Sequence, residues 1–417
     1  MSRLIVEGGI PLEGEICVQG AKNAVLPILA ATVMVDGECV IKNCPGLRDV
    51  EKTDLILEGL GCSVKREGNT IIVNPNGISS CCICEELMRE MRSSIIFLGA
   101  ILTRCSRATV SMPGGCPIGL RPIDLHLKAL RELGVEIEEK HGYINCIASD
   151  IKGADIHLDF PSVGATENVM LAAVCADGVT VISNAAREPE ICDLARFLNQ
   201  CGAEISGAGT SCIKIRGVKK LHGTEYTIMP DRIVAATYLA AAAATNGEIF
   251  LTDAAPEDMG AMLHALSEMG AELTVGAKTV HLKNNKRLKA VHTLRTMPYP
   301  GFPTDIQSPF MAMCALASGT SVFVENIFEN RFRHVDELVR MGADIRVEGR
   351  SAVVRGVKKL SAANVVAHEL RGGAALVIAA LAAEGTSEIT GVEYIDRGYE
   401  NIEKYLGNCN AKIKRER

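Results

Sequence analysis

The sequence predicts an α/β protein of two domains, each closed from three copies of a unit of about 70 residues around its own helices. Three observations lead there. A chain of 417 residues exceeds one ordinary core and suggests two domains of about 200 residues each. A helix-ending pattern, Leu-x-x-apolar-Gly-small-x-apolar, recurs at a nearly constant interval. Apolar helices, each followed by a turn and a strand, keep the same rhythm.

The helix-ending pattern reads Leu57…Leu60-Gly61-Cys62-x-Val64, Leu130…Leu133-Gly134-Val135-x-Ile137 and Leu198…Cys201-Gly202-Ala203-x-Ile205. It returns as Leu266…Met269-Gly270-Ala271-x-Leu273 and Leu338…Met341-Gly342-Ala343-x-Ile345. A degraded sixth copy is Leu406…Cys409-Asn410-Ala411-x-Ile413. The glycines stand 73, 68, 68 and 72 residues apart, and Asn410 follows after 68 more. Each suits the left-handed residue that ends a helix, a conformation open to glycine and, less readily, to asparagine. The alternation after it marks a strand.

The second marker is a set of strand residues, Val40, Val110, Val181, Phe250, Phe323 and Ile389, each after an apolar helix and a short turn. Helices expected over 23–35 and 371–383 are apolar on nearly every side, so they belong inside a domain. The other helix of a unit, as over 124–133 or 335–341, is amphipathic and should face outward. A short repeat period usually means an open solenoid. A fully buried helix in a unit this long favours closure instead. Arg216-Gly217-Val218-Lys219-Lys220-Leu221 and Arg355-Gly356-Val357-Lys358-Lys359-Leu360 repeat as well, and read as surface turns.

Composition excludes several functions. Hydrophobic residues make up 47% and charged residues 23%, enough to fill two cores and too apolar for disorder. With no Trp, seven Tyr and nine Phe, little is available for base stacking. A net charge of −6 gives no general pull toward nucleic acid or an anionic membrane, so neither partner is expected. The opening residues read as a short strand and not as a signal peptide. The longest apolar runs, such as 239–244, fall far short of the roughly 20 residues that span a bilayer. A cytoplasmic chain with reduced thiols is the expectation. Among 16 cysteines, Cys17, Cys39, Cys146 and Cys212 fall in strand-like runs and read as small buried hydrophobes. Cys81, Cys82 and Cys84 cluster without a second pair at zinc spacing, so no metal is expected.

The starts of the buried helices carry polar residues that a core helix does not need. They are Lys22-Asn23, Arg92-Ser93-Ser94, residues 162–166, Asp231-Arg232, Thr304-Asp305 and Leu370-Arg371-Gly372-Gly373, again at offsets near the repeat length. Free N–H groups and the positive end of the helix dipole suit such places to anions. Ser, Thr and Asp cap helices in any protein. Lys22, Arg92 and Arg371, however, oppose the dipole unless an anion accompanies them. One loop departs from the repeat: residues 113–126 hold three Gly and three Pro around Cys116. Neither helix nor strand can run through it. A loop thiol near Arg121 and His126 is expected to be exposed, acidified and reactive.

These blocks carry a resemblance. Gly20-Ala21-Lys22-Asn23-Ala24, the 113–126 loop, Pro161-Ser162-Val163-Gly164-Ala165-Thr166 and Asn184-Ala185-Ala186-Arg187-Glu188-Pro189-Glu190 resemble the UDP-N-acetylglucosamine 1-carboxyvinyltransferases, a family of enolpyruvyl transferases. So do Phe302-Pro303-Thr304-Asp305, Phe328-Glu329-Asn330-Arg331-Phe332 and Ile395-Asp396-Arg397-Gly398-Tyr399-Glu400. The likeness spans essentially the whole chain. It implies a two-domain inside-out α/β barrel, with residues 1–20 plus 230–417 as the catalytic-half domain and 21–229 as the other, bearing a mobile loop at 111–122.

The resemblance also implies a reaction: the 3-hydroxyl of UDP-N-acetylglucosamine takes the enolpyruvyl group of phosphoenolpyruvate, in the first committed step of peptidoglycan biosynthesis, without metal or organic cofactor. Cys116 is implied as the acid, able to form a phosphoenolpyruvate adduct and to be alkylated by fosfomycin. Asp305 is implied as the base, with Lys22, Arg121 and Arg397 holding the phosphoenolpyruvate anion. Implied sugar-nucleotide contacts are Arg92, Arg121, Pro122, Ile123, Asp124, Leu125, Ser162, Val163, Gly164, Asp305 and Ile327. Asn23 falls near the reacting centre, and Arg331 and Arg371 complete a cationic wall. Two positions depart from the family pattern. Phe160 stands where Lys is common, and Glu369, counted in the catalytic set beside Arg371, stands where Asp is common. The sister enzyme 5-enolpyruvylshikimate-3-phosphate synthase shares the fold and chemistry but lacks such a loop cysteine. A catalytically silent sugar-nucleotide-binding paralogue would have no need of the acid and base.

Overall fold

The computed structural model describes residues 2–112, 118–119 and 123–416. The chain divides into two compact units. Unit 1 comprises residues 1–19, 117–120 and 230–417, and unit 2 comprises residues 20–116 and 121–229.

Six helices fill the two cores. In unit 1, Arg232–Ala244, Thr304–Cys314 and Leu370–Ala382 pack on one another. In unit 2, Phe97–Cys105 packs on both Lys22–Ala31 and Val163–Ala173. Every residue of Arg232–Ala244 is buried, as a helix of small and apolar residues on all sides requires. The helix expected over 23–35 ends sooner. Its α-helical part stops at Ala31 and tightens into a 3-10 turn, Thr32–Met34. There the Thr32 hydroxyl donates to the Leu29 carbonyl at 2.7 Å. The Phe97 helix instead opens with a 3-10 turn, Arg92–Ile96.

Sheets stand outside these helices, and they share one plan: a short strand runs parallel to a second strand, which continues antiparallel into a hairpin. Glu13–Cys17 runs parallel to Glu248–Thr252, which pairs antiparallel with Val280–Lys283, and this with Glu272–Val275. Thr293–Arg295, Thr320–Val324, Ser351–Arg355 and Asp344–Glu348 repeat it. In the remaining sheet of unit 1 the first strand of the chain is an insert. Arg3–Glu7 lies antiparallel between Thr386–Thr390 and Lys412–Glu416. Unit 2 follows the plan around Cys39–Lys42 and Val179–Ser183. Its third sheet, with Arg107–Ser111, Tyr143–Ile147 and Glu136–Lys140, reduces the parallel strand to one bridge from Cys82 to Thr109.

The left-handed helix ends are where the repeat places them. Gly61, Gly134, Gly202, Gly270 and Gly342 have φ of 100, 87, 99, 97 and 94°, and Asn410 has φ of 71°. The six marker residues all lie in strands, though they do not share a face. Val110, Phe323 and Ile389 face the core, but Val40 and Val181 are half-buried and Phe250 is exposed. The marker slips by one residue between repeats, and in a strand one residue changes the face. For the same reason Cys17 and Cys212 are exposed, while Cys39 and Cys146 are buried. The paired Arg-Gly-Val-Lys-Lys phrases are more than surface turns. A β-carbon at Gly217 would lie 1.7 Å from the Ala176 carbonyl oxygen, and one at Gly356 1.6 Å from that of Ala317. Each glycine lets a strand end cross a buried helix end at the same place in its repeat. Among the described residues no helix is long and apolar enough to cross a membrane.

Candidate active site

The polar positions singled out in the sequence fall at helix starts in both units. In unit 1, Asp305 lies in the first turn of the Thr304 helix and meets two arginines. Arg331 Nη2 donates to Asp305 Oδ1 at 3.0 Å, and Arg371 Nη2 donates to Oδ2 at 3.1 Å. Both arginine side chains are 2% exposed, against 28% for Asp305. Arg331 also donates to the Thr304 carbonyl at 3.2 Å. Glu369 caps the Arg371 helix, accepting from the Arg371 N–H at 2.8 Å and from the Gly372 N–H. Its Oε2 stands 3.8 Å from Arg331 Nη1. One carboxylate thus ends the helix and faces the second arginine.

Charge in this cluster is held against burial. Desolvation works to lower the Arg371 pKa, but Tyr399, Asp305 and Asp231 outweigh it and raise the value above that of an ordinary arginine. The guanidinium lies over the Tyr399 ring, 5.4 Å from its centroid. His334, 4% exposed, goes the other way: burial and the Arg331 charge push its pKa down to about 3, so it is neutral. Arg371 Nε and Nη1 and Arg331 Nε are buried without a hydrogen-bond partner among the described residues. Beside this cluster, the buried carboxylate of Glu325 shapes the loop that carries Ile327. It accepts from the Ile327 N–H at 2.8 Å, the Phe328 N–H at 3.1 Å and the Thr304 hydroxyl at 3.0 Å.

In unit 2, Lys22 begins its helix with Nζ 2.6 Å from Asp49 Oδ2, and both side chains are nearly buried. A protein carboxylate thus accompanies the cation that opposes the helix dipole. Asn23 and Arg92 are half-buried. Ser162 caps the Val163 helix, its hydroxyl accepting from the Ala165 N–H at 3.3 Å. Asn168, fully buried, ties three neighbouring segments together. Its Oδ1 accepts from the Gly99 N–H at 2.8 Å, and its Nδ2 donates to the Ile95 carbonyl at 2.9 Å and meets His126 Nδ1 at 2.8 Å. The segments that carry Arg92, Ile123 to Leu125, and Ser162 to Gly164 are thereby fixed to one another. His126, at the end of the 113–126 stretch, is a buried residue of the helix Asp124–Glu132, with its Cε1 3.0 Å from where a Gly164 β-carbon would stand.

Of the remaining positions, Asp124 is exposed and Ile123, Leu125, Val163, Gly164, Ile327 and Arg397 are half-buried. Phe160 is 45% exposed. Cys116, Arg121 and Pro122 lie outside the described residues, as does most of the 111–122 loop. Elsewhere, burial pushes the thiols of Cys44, Cys146 and Cys314 up to about 12, which leaves them poor nucleophiles. Among the described residues no group of three or more His, Cys, Asp or Glu could hold a metal ion. Sequence reasoning missed Asp49, Asn168, Glu325 and His334.

Both units thus bury helices whose starts pair arginine or lysine with carboxylate. The family model for EPSP synthase (3-phosphoshikimate 1-carboxyvinyltransferase) matches residues 6–406, and the chain belongs to that family. Within it, the chain is 55% identical to UDP-N-acetylglucosamine 1-carboxyvinyltransferase 2 of Caldanaerobacter subterraneus subsp. tengcongensis, over 100% of both chains. It is 50% identical to the UDP-N-acetylglucosamine 1-carboxyvinyltransferase of Nitratidesulfovibrio vulgaris (strain DP4), again over 100% of both. Among solved structures, the enolpyruvyl transferase NikO from Streptomyces tendae superposes with a TM-score of 0.89 at 23% identity, over 99% of this chain and 98% of that one. EPSP synthase from Acinetobacter baumannii superposes with a TM-score of 0.77 at 19% identity, over 100% of both. At those identities the two structures speak for the fold.

Proposed function

We propose that the chain transfers the enolpyruvyl group of phosphoenolpyruvate to the 3-hydroxyl of UDP-N-acetylglucosamine, releasing phosphate, as the first committed step of peptidoglycan biosynthesis in the cytoplasm. The observation that carries this reading is full-length identity of 55% to a relative named for that transfer, since the fold alone is shared with EPSP synthase.

In this reading the 3-hydroxyl oxygen bonds to C2 of phosphoenolpyruvate while C3 takes a proton from Cys116. The hydroxyl proton passes to Asp305. Asp305 Oδ1 accepts from Arg331 and Oδ2 from Arg371, which hold the carboxylate in place as the proton acceptor. The resulting ketal then loses phosphate from C2 and a proton from C3. Lys22, Arg121 and Arg397 hold the anion. Arg92, Arg121 to Leu125, Ser162 to Gly164 and Ile327 contact the sugar nucleotide, with Asn23 beside the reacting centre. The charges of Arg331 and Arg371 hold the Asp305 carboxylate in place and favour negative charge that builds up beside it during addition. Glu369 fixes the start of the helix that bears Arg371.

The test is phosphate release on mixing the full-length chain with phosphoenolpyruvate and either UDP-N-acetylglucosamine or shikimate 3-phosphate. Release with the sugar nucleotide alone is expected. Release only with shikimate 3-phosphate would move the chain to the sister activity. Tight sugar-nucleotide binding without release would make it a silent binding protein.

A further inference from the structure

The segment that carries Arg397 is gripped from two sides by residues that belong to no recognised motif. Arg397 follows Asp396, in the turn between the short helices Val392–Ile395 and Ile402–Gly407. Arg415, on the strand Lys412–Glu416, donates from Nη1 and Nη2 to the two oxygens of Asp396, each at 2.8 Å. Its Nε and Nη2 also donate to the two oxygens of Glu403, at 2.8 and 2.9 Å. One planar guanidinium therefore forks onto two carboxylates, one directly before Arg397 and one six residues after it. Lysine, a single point charge, could not make this pattern.

On the other side stands Gln19, 6% exposed. Its amide donates to the Gly398 carbonyl at 3.3 Å and accepts from the Glu400 N–H at 3.0 Å. Its backbone carbonyl accepts from the N–H of Asp231, the cap of the Arg232 helix, at 2.9 Å. The strand bearing Arg415 is fixed in turn by antiparallel pairing with Arg3–Glu7 along its whole length. A bridge that served stability alone would need one carboxylate and no particular place in the chain. This one closes the segment 397–402, which begins with Arg397, and is built from elements already locked in the sheet and the core.

We propose that Arg415 is a positioning residue for Arg397: by fixing Asp396 and Glu403 it sets where the Arg397 backbone stands, and so where its guanidinium meets the phosphoenolpyruvate anion. The inference rests on the role proposed for Arg397. Arg415 itself touches no substrate, and its effect passes through the 396–400 turn.

The experiment is steady-state phosphate release by the full-length chain with both substrates varied. Arg415→Met should raise the KM for phosphoenolpyruvate about tenfold, a scale set by small misplacements of binding groups, and leave the KM for UDP-N-acetylglucosamine within about twofold. Asp396→Asn should reproduce that split, and Arg415→Lys should recover part of the loss. In an Arg397→Met background, Arg415→Met should add no further rise, because the residue it positions is gone. Equal rises for both substrates, or losses that add in the double variant, would overturn the inference in favour of a purely structural bridge. If Arg415→Met does not fold, the Asp396→Asn split decides the matter alone. A wild-type chain that releases no phosphate would overturn the functional reading and this inference together, whereas an active wild type with an unchanged split would overturn the inference only.

Discussion

At the start of the Lys22 helix in unit 2 and of the Arg371 helix in unit 1, the same place in the repeat is charged by different means. Lys22 meets Asp49 as a compact ammonium on a flexible stem, 2.6 Å from its carboxylate. Arg371 is a rigid fork set over an aromatic ring, joined to Asp305, and placed at a helix end capped by Glu369. The first arrangement is a single point charge anchored by one carboxylate. The second suits a frame that must not move while a carboxylate works inside it. One place in the repeat can thus supply a singly anchored charge in one unit and a charge held from several sides in the other.

Substitutions can break this comparison, and the largest effect belongs to the frame. Asp305→Asn keeps the shape but removes the acceptor, so turnover should fall by about a hundredfold or more, the usual scale for a lost general base. UDP-N-acetylglucosamine binding, followed by calorimetry, should be nearly unchanged. Near-normal turnover would place the base elsewhere, with Glu369 the next candidate.

Glu369→Ala comes second. It uncaps the Arg371 helix and removes a charge near Arg331, so turnover should fall between roughly tenfold and a hundredfold. Glu369→Asp should be similar to the native chain or somewhat slower. A manyfold gain in the Asp variant would mean that the longer side chain impairs the native protein.

Asp49→Asn tests the singly anchored charge. Without the carboxylate, Lys22 loses its anchor, and the KM for phosphoenolpyruvate should rise about tenfold with a smaller change in turnover. An unchanged KM would show that Lys22 is oriented by other neighbours.

His334→Gln should have the smallest effect at neutral pH. The folded chain keeps His334 neutral down to about pH 3, whereas the unfolded chain protonates it near its ordinary value of 6.5. The unfolded state binds the extra proton between those values, so stability is lost as pH falls through that window. The loss amounts to about 2 kcal/mol between pH 7 and pH 5. Denaturant unfolding of the native chain and of His334→Gln at both pH values should show a shallower decline in the variant. Parallel declines would mean that His334 does not titrate on unfolding.

What the sequence revealed and what it hid follow from the range of the forces involved. A left-handed helix end depends on one residue and its two neighbours, so Gly61 through Asn410 were readable one by one. The apolar helices and their polar starts were readable too, because burial on all sides leaves a local trace. Facing was less readable. Cys17 and Cys212 share a strand setting with Cys39 and Cys146, and only the register of the finished sheet decides which side each takes. Asp49, Asn168, Glu325 and Arg415 were not readable at all. Each acts on residues whose nearness exists only after folding: Asn168 lies 73 residues from Ile95. Period and spacing carry no record of such contacts.

The inserted first strand imposes an order on the making of the protein. Arg3 bonds to Glu388, 385 residues away, so the sheet that holds both cannot close until nearly all of the chain has been synthesised. Residues 20–116 and 121–229 face no such delay, and their unit can consolidate while the ribosome is still translating the other. Pulse-labelled nascent chains should therefore gain protease resistance in unit 2 first. Until release, the strand Arg3–Glu7 remains an unpaired edge, and its stretch of Leu4, Ile5 and Val6 is what a chaperone would be expected to shield.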